Sequence, residues 1–231
     1  GSVQSLTIAS GTTVPLGDSP TVTLTGGAGF ITNNGTITTG TGTATFTFNG
    51  SSVYSFTNNG TISANSLSSF ATLAINFVNA GTVSMTGVST FDFNASFTNS
   101  SGATFSTAAN PTFAVARDFT VSSSSTFPAN ATLNLDTNPA SCNVTDTLDA
   151  SGVTFTAVTI SRACPAGGAQ ALTIASGTTV PLGNSPTVVM TGGSGTLTNN
   201  GTITIGTGTA TFTITSTFSN AGTITTITVT L

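Results

Sequence analysis

Chemistry in this 231-residue chain must come from a short inventory. The charged side chains are Arg117 and Arg162 against Asp18, Asp92, Asp118, Asp136, Asp146 and Asp149; Lys, Glu, His and Trp do not occur, and Tyr54 is the lone tyrosine. Glycoside hydrolysis needs two facing carboxylates, and lyase chemistry needs a base with a raised pKa. The only acidic pair at a suitable spacing is Asp92 and Asp118. Asp118 directly precedes Phe119, whereas Asp92 lies five residues before Phe97, so the two are not expected to stack. Arg117 beside Asp118 reads as a solvated ion pair. Without His there is no Ser–His nucleophile, and without Trp there is no broad aromatic platform for sugars. No enzyme and no cofactor are expected. Two arginines also cannot neutralise a run of phosphates, which excludes nucleic acid as a partner.

Cys142 and Cys164 stand 22 positions apart with no CxxC spacing. Two cysteines in an otherwise cysteine-free chain predict a disulfide and hence an oxidising compartment. Between them lie Asp146, Asp149 and Arg162. A local ion pair is the plain expectation, and a weak cation site made of Asp146, Asp149 and carbonyls is the sharper alternative. Sequons for N-glycosylation occur at Asn34, Asn49, Asn59, Asn94, Asn99, Asn130, Asn143 and Asn200. A chain rich in Asn, Ser and Thr makes such triplets by composition alone. Asn34, Asn59, Asn99 and Asn200 nevertheless fall in a recurrent turn motif and are expected to face solvent.

The elements that carry these residues follow from composition and repetition. Charged residues make up 3%, against about 25% in ordinary domains, so Thr, Ser, Asn and Gly must form the surface. Helix formers other than Ala and Leu are scarce, while Thr, Val, Ile and Phe favour strands. Sixteen Phe and a mean hydropathy of +0.33 supply too much apolar matter for disorder. No stretch is long and apolar enough for a membrane span. No basic stretch followed by an apolar one marks a secretory leader, so the chain is expected to be past leader removal.

A motif of apolar residue, spacer, Asn, spacer, Gly-Thr and Ile or Val recurs along the chain. It reads Phe56-Thr-Asn58-Asn-Gly60-Thr-Ile62 and Phe77-Val-Asn79-Ala-Gly81-Thr-Val83, with relatives starting at Ile31, Leu197 and Phe218. Looser copies start at Leu6, Phe97, Phe119, Leu148 and Leu172. At longer range, residues 5–50 are nearly copied at 171–216, which corresponds to seven whole short repeats. Within a repeat, Ala44, Phe46 and Phe48 alternate with Thr43, Thr45 and Thr47 as in a half-buried strand.

A unit of 20–25 residues cannot bury such a face alone, but stacked units can. The predicted fold is all-β: a parallel, right-handed β-helix (β-solenoid) of about ten coils of 20–25 residues. Phe is expected to ladder inside and Asn at a corner, with Asn and Gly chosen there for their tolerance of left-handed backbone. Coils about 4.8 Å apart give a rod of roughly 45–50 Å. The organisation reads as coils 1–6 over residues 1–127, an irregular disulfide-bearing insertion and coil over 128–168, and coils over 169–231 that repeat 3–65, together forming one elongated domain. Tandem pilin-like β-sandwiches are the alternative. The repeats resemble those of filamentous-haemagglutinin-like bacterial surface proteins, a resemblance that implies a right-handed parallel β-helix and an adhesive or filamentous role.

The functional expectation is a structural subunit of an extracellular filament or a cell-surface adhesive stalk. Its partner would be a second copy, engaged through the apolar strand that holds Ile227, Val229 and Leu231. An adhesin for host or cell-surface glycans is one alternative. An ice-binding solenoid is another, with Thr43, Thr45, Thr47, Thr207, Thr209 and Thr211 as candidate face residues. The coils that start at 77, 97 and 119 are expected to break such a face.

Overall fold

A computed structural model of the protein describes residues 3–26, 28–50, 54–64, 66–71, 75–87, 90–93, 95–107, 110–136, 142–164 and 168–228. Among them every pairing between named strands is parallel, and the strands stack into three walls of one solenoid. Parallel pairing at this repeat excludes the sandwich alternative, whose sheets are antiparallel. No helix is long and apolar enough to cross a membrane.

The first wall contains ten strands: Gln4–Ile8, Gly29–Asn33, Tyr54–Asn58, Ile75–Asn79, Phe97–Asn99, Phe119–Val121, Val144–Asp149, Ala169–Ile174, Ser194–Asn199 and Thr217–Asn220. We number the coils 1–10 by these strands. The third wall contains nine strands, from Thr21–Gly26 in coil 1 to Thr211–Ile214 in coil 9. The second wall has only eight, in runs of five (coils 1–5) and three (coils 8–10). The expected ten coils are therefore about eight regular turns, because coils 6 and 7 have no second-wall strand among the described residues. Residues 128–168 continue the stack: Ala131–Asp136 and Phe155–Ala163 are third-wall strands.

The inward residues repeat coil over coil, as the alternation requires. Leu6, Ile31, Phe56, Phe77, Phe97, Phe119 and Leu148 are successive partners in the first wall. The rings of Phe56, Phe77, Phe97 and Phe119 follow one another at centroid distances of 5.4, 5.9 and 5.1 Å. Each aromatic contact adds about 0.5–1.5 kcal/mol to the burial of the rings themselves. Phe91, Phe93 and Phe113 of the third wall and Phe105 of the second fill the space between and are fully buried.

One step departs from the sequence register. Leu148 pairs with Ile174, and Leu172 pairs with Asp146. The copied block of coils 8–10 is thus displaced by two residues along the first wall relative to coils 1–7. A slip of two keeps every inward residue inward, whereas a slip of one would turn the core out.

Two kinds of corner link the first wall to the second. In coils 1, 5, 7 and 8 a four-residue turn closes with a backbone hydrogen bond, such as Thr12 N–H to the Ala9 carbonyl (3.1 Å), with Gly11, Gly102, Gly152 or Gly177 at φ between +74° and +81°. The Asn-Gly corners of coils 2, 3, 4, 9 and 10 differ. Their glycines are not in the left-handed region, which corrects the reason expected for them. A Cβ on Gly60 would overlap the carbonyl oxygen of Gly35, and one on Gly81 that of Gly60. Glycine is required there because consecutive coils approach backbone to backbone.

Candidate functional site

Three polar arrangements rise from this frame. The first is a buried amide ladder at the end of the first wall. Asn33, Asn58, Asn79 and Asn99 sit at successive coils and are each 0% exposed. Asn33 Nδ2 donates to Asn58 Oδ1 (2.7 Å), Asn58 Nδ2 to Asn79 Oδ1 (2.8 Å), and Asn79 Nδ2 to Asn99 Oδ1 (2.8 Å). The same amides also donate to the carbonyls of Thr61, Thr82 and Thr104 in the coil above. Asn99 ends the run on Ser125 Oγ and the Thr126 carbonyl. A second, shorter run joins Asn199 to Asn220 (2.7 Å).

This ladder corrects one expectation about the sequons. Asn99 occupies the inward position that Asn33 holds in coil 2, so it is buried and cannot face solvent. Asn34, Asn59 and Asn200 are the outward neighbours of ladder residues and are exposed. Asn59 Nδ2 reaches Asn34 Oδ1 at 2.8 Å, forming a short outer ladder. Asn130 and Asn143 are also exposed, at turn positions with φ of 66°. Asn49 lies on the third-wall strand Thr43–Gly50, but its side chain, like Asn94 as a whole, is outside the described residues.

The second arrangement is a charged cluster at the register slip. Asp146 and Arg162 are 1% and 0% exposed and form an ion pair across the interior of coil 7. Arg162 Nη2 also donates to the Ala116 carbonyl, and Arg117 Nε approaches Asp146 Oδ1 at 3.4 Å. Burial pushes the Asp146 carboxyl above the usual carboxylate range, against the pull of Arg162 and Arg117. Burial likewise lowers the Arg162 guanidinium, against the pull of Asp146.

Two expectations change here. Arg117 pairs with Asp146 rather than with Asp118, whose carboxylate instead accepts from Thr147 N–H (2.8 Å) and the Ser96 hydroxyl (3.2 Å). Asp146 and Asp149 cannot share a cation, because they point to opposite faces of one strand and arginine already occupies Asp146. Asp92 has Ala114 as its partner in the next coil of the third wall and Asp118 lies beside the first wall, so the two do not stack. Cys142 and Cys164 are disulfide-bonded and clasp coil 7 from the start of its first-wall strand to the end of its third-wall strand. Among the described residues no three His, Cys, Asp or Glu side chains gather as a metal site.

The third arrangement lies on the outside of the second wall. Thr13, Thr36, Thr61, Thr82, Thr104 and Thr126 form one column over six coils. Pro15, Thr38, Ser63, Ser84 and Ser106 form the next column. Between them Ile37, Ile62, Val83 and Phe105 point into the core. Thr179, Thr202 and Thr223 repeat the first column in coils 8–10. Coils starting at 77 and 97 lack Thr-x-Thr, as expected, but carry Thr82-x-Ser84 and Thr104-x-Ser106 in the same two columns, and Thr126 extends the first column into the coil starting at 119. Of the Thr residues first proposed, Thr207 ends the second-wall strand Thr202–Thr207, Thr45 and Thr211 are on the third wall, Thr209 is exposed just before the third-wall strand Thr211–Ile214, and the side chains of Thr43 and Thr47 are outside the described residues. Val229, Leu231 and the side chain of Ile227 are also outside the described residues.

No known family model, curated protein or solved structure matches this chain.

Proposed function

We propose that the chain is a rigid segment of an extracellular filament or adhesive surface stalk, and that coil stacking joins it to a second copy. The β-solenoid fold suits a structural or adhesive role, and the clasp across coil 7 suits an oxidising exterior. The observation that carries the reading is the copied block. Coil 1 repeats coil 8 nearly residue for residue, and the underside of coil 8 is paired with coil 7 over five residues. Leu172, Ile174 and Val180 are accordingly buried to 1%, 0% and 0%. Their counterparts Leu6, Ile8 and Val14 line an open apolar mouth, with Leu6 45% exposed. The surface that coil 7 covers in coil 8 thus recurs in coil 1, and a coil is what fits it.

Analytical ultracentrifugation and negative-stain electron microscopy of the purified chain test the reading. Linear particles that lengthen with concentration, and that Leu6→Asp abolishes without lowering the unfolding midpoint, are expected. A monodisperse particle of one chain at high concentration would overturn it.

A further inference from the structure

The second wall differs from the other two in what it presents to water. Its two outward columns are Thr and Ser over coils 1–5, apart from Pro15. On the first wall the corresponding second column is broken by Phe30 and Asn76, and on the third wall Asp92, Ala114 and Asn134 succeed one another. None of the eight charged residues stands on a second-wall strand, and the one aromatic there, Phe105, points inward. The wall is also pinned from beneath in coils 2–5, where each outward pair straddles a buried apolar residue of the core ladder.

The geometry of such a face is set by the fold. Coils repeat at about 4.8 Å, and alternate residues along a parallel strand at about 6.6 Å. Each Thr places one methyl and one hydroxyl on this two-dimensional lattice. A soluble ligand finds neither a charge nor an outward ring among the described residues of these strands. A solid whose own surface repeats at similar distances finds many weak contacts in register. Hexagonal ice has oxygen rows at comparable spacings, its lattice is uncharged, and methyl groups order the water that hydroxyls then join to it. A crystalline polysaccharide is also periodic, but its sugar rings call for aromatic platforms, which this wall lacks. A mineral surface would call for charge.

We infer that the second wall of coils 1–5 is an ice-binding face centred on Thr36, Thr61, Thr82 and Thr104. The inference is independent of end-to-end assembly, since the face runs along the side of the rod.

The test uses the full chain, with thermal hysteresis and partition into a growing ice hemisphere as readouts. Thr61→Tyr and Thr82→Lys each interrupt the face, and Thr98→Tyr makes an equal change on the outward side of the first wall. Unfolding midpoints identify any variant that fails to fold, and the two disruptions stand in for each other. The native chain and Thr98→Tyr are expected to shape ice crystals and partition into ice, with at least a tenfold loss in the second-wall variants. Absence of both activities in the native chain would overturn the inference. So would an equal loss in Thr98→Tyr with its midpoint unchanged, or retention of crystalline cellulose or chitin binding without any ice activity.

Discussion

Asp146 lies beneath Leu172 in the parallel ladder of the first wall, so a buried carboxylate holds a column position that Leu172, Leu197 and Phe218 continue above it. The carboxylate is tolerated there because Arg162 crosses the coil to meet it and Arg117 closes from the coil below. The pair sits where the copied block begins, and the disulfide encloses it.

Breaking this pair should cost more than deleting it. Arg162→Met leaves the buried Asp146 carboxylate without its partner across the coil and is expected to destabilise by about 3–5 kcal/mol near neutral pH. The double variant Asp146→Leu with Arg162→Met is expected to lie within about 1 kcal/mol of the native chain or above it. Equilibrium urea unfolding of the native chain, Asp146→Leu, Arg162→Met and the double variant measures the cycle. The pH dependence has a definite sign. Burial raises the folded pKa of Asp146, so its contribution to stability is fully present below the ordinary carboxylate value and is lost as pH rises through the folded one. The native chain should therefore lose stability relative to the double variant as pH rises above the ordinary carboxylate value of about 3.9.

The amide ladder should show position dependence. Asn58→Ala removes the bonds to Asn79 Oδ1 and the Thr82 carbonyl and takes from the buried Asn33 amide its Asn58 acceptor, leaving it the Thr61 carbonyl. A loss of about 2–4 kcal/mol is expected. Asn220→Ala, at an exposed position, is expected to cost under about 1 kcal/mol. Denaturant midpoints of the two variants check this, and equal losses would contradict a cooperative ladder.

Glycines should divide into two classes by mechanism. Gly60→Ala drives a methyl into the Gly35 carbonyl oxygen, forces two coils apart, and is expected to prevent normal stacking. Gly11→Ala meets open space and pays only for a φ of +76°, about 1 kcal/mol. Circular dichroism and thermal melts separate the two.

Reduction of the Cys142–Cys164 bond opens a loop with a sequence separation of 22. The chain-entropy model puts the loss at about 3 kcal/mol. Differential scanning calorimetry with and without a reductant, alongside a Cys142→Ser/Cys164→Ser variant, should show the same fall in midpoint.

Much of the stack was legible because its period is written in the chain. Phe56, Phe77, Phe97 and Phe119 announce a column through spacing alone, and strand alternation turns them inward. The slip at coil 7 was not legible. The copied sequence suggests that Leu172 continues the Leu148 column, and only the pairing itself shows Asp146 under it. Asn99 was misplaced although its parity was available: it shares a face with Phe97, two residues earlier, and therefore points into the core. The Thr/Ser face is hard to read from the chain because its hydroxyl columns mix Thr with Ser and sit just after the corner glycine, whereas the conspicuous Thr alternation of Thr43, Thr45 and Thr47 belongs to a third-wall strand. The role of that glycine was inferred from backbone freedom, when contact between coils decides it.

A displacement of two residues between blocks resembles a stacking fault in a layered crystal: the layers on each side are perfect, and one plane absorbs the misfit. Any even offset is admissible to such an array, and any odd one inverts it. A gene for a protein of this kind can therefore grow by copying whole blocks without matching their frame closely, provided that each junction brings its own patch. Here the patch is a salt bridge inside a covalent hoop.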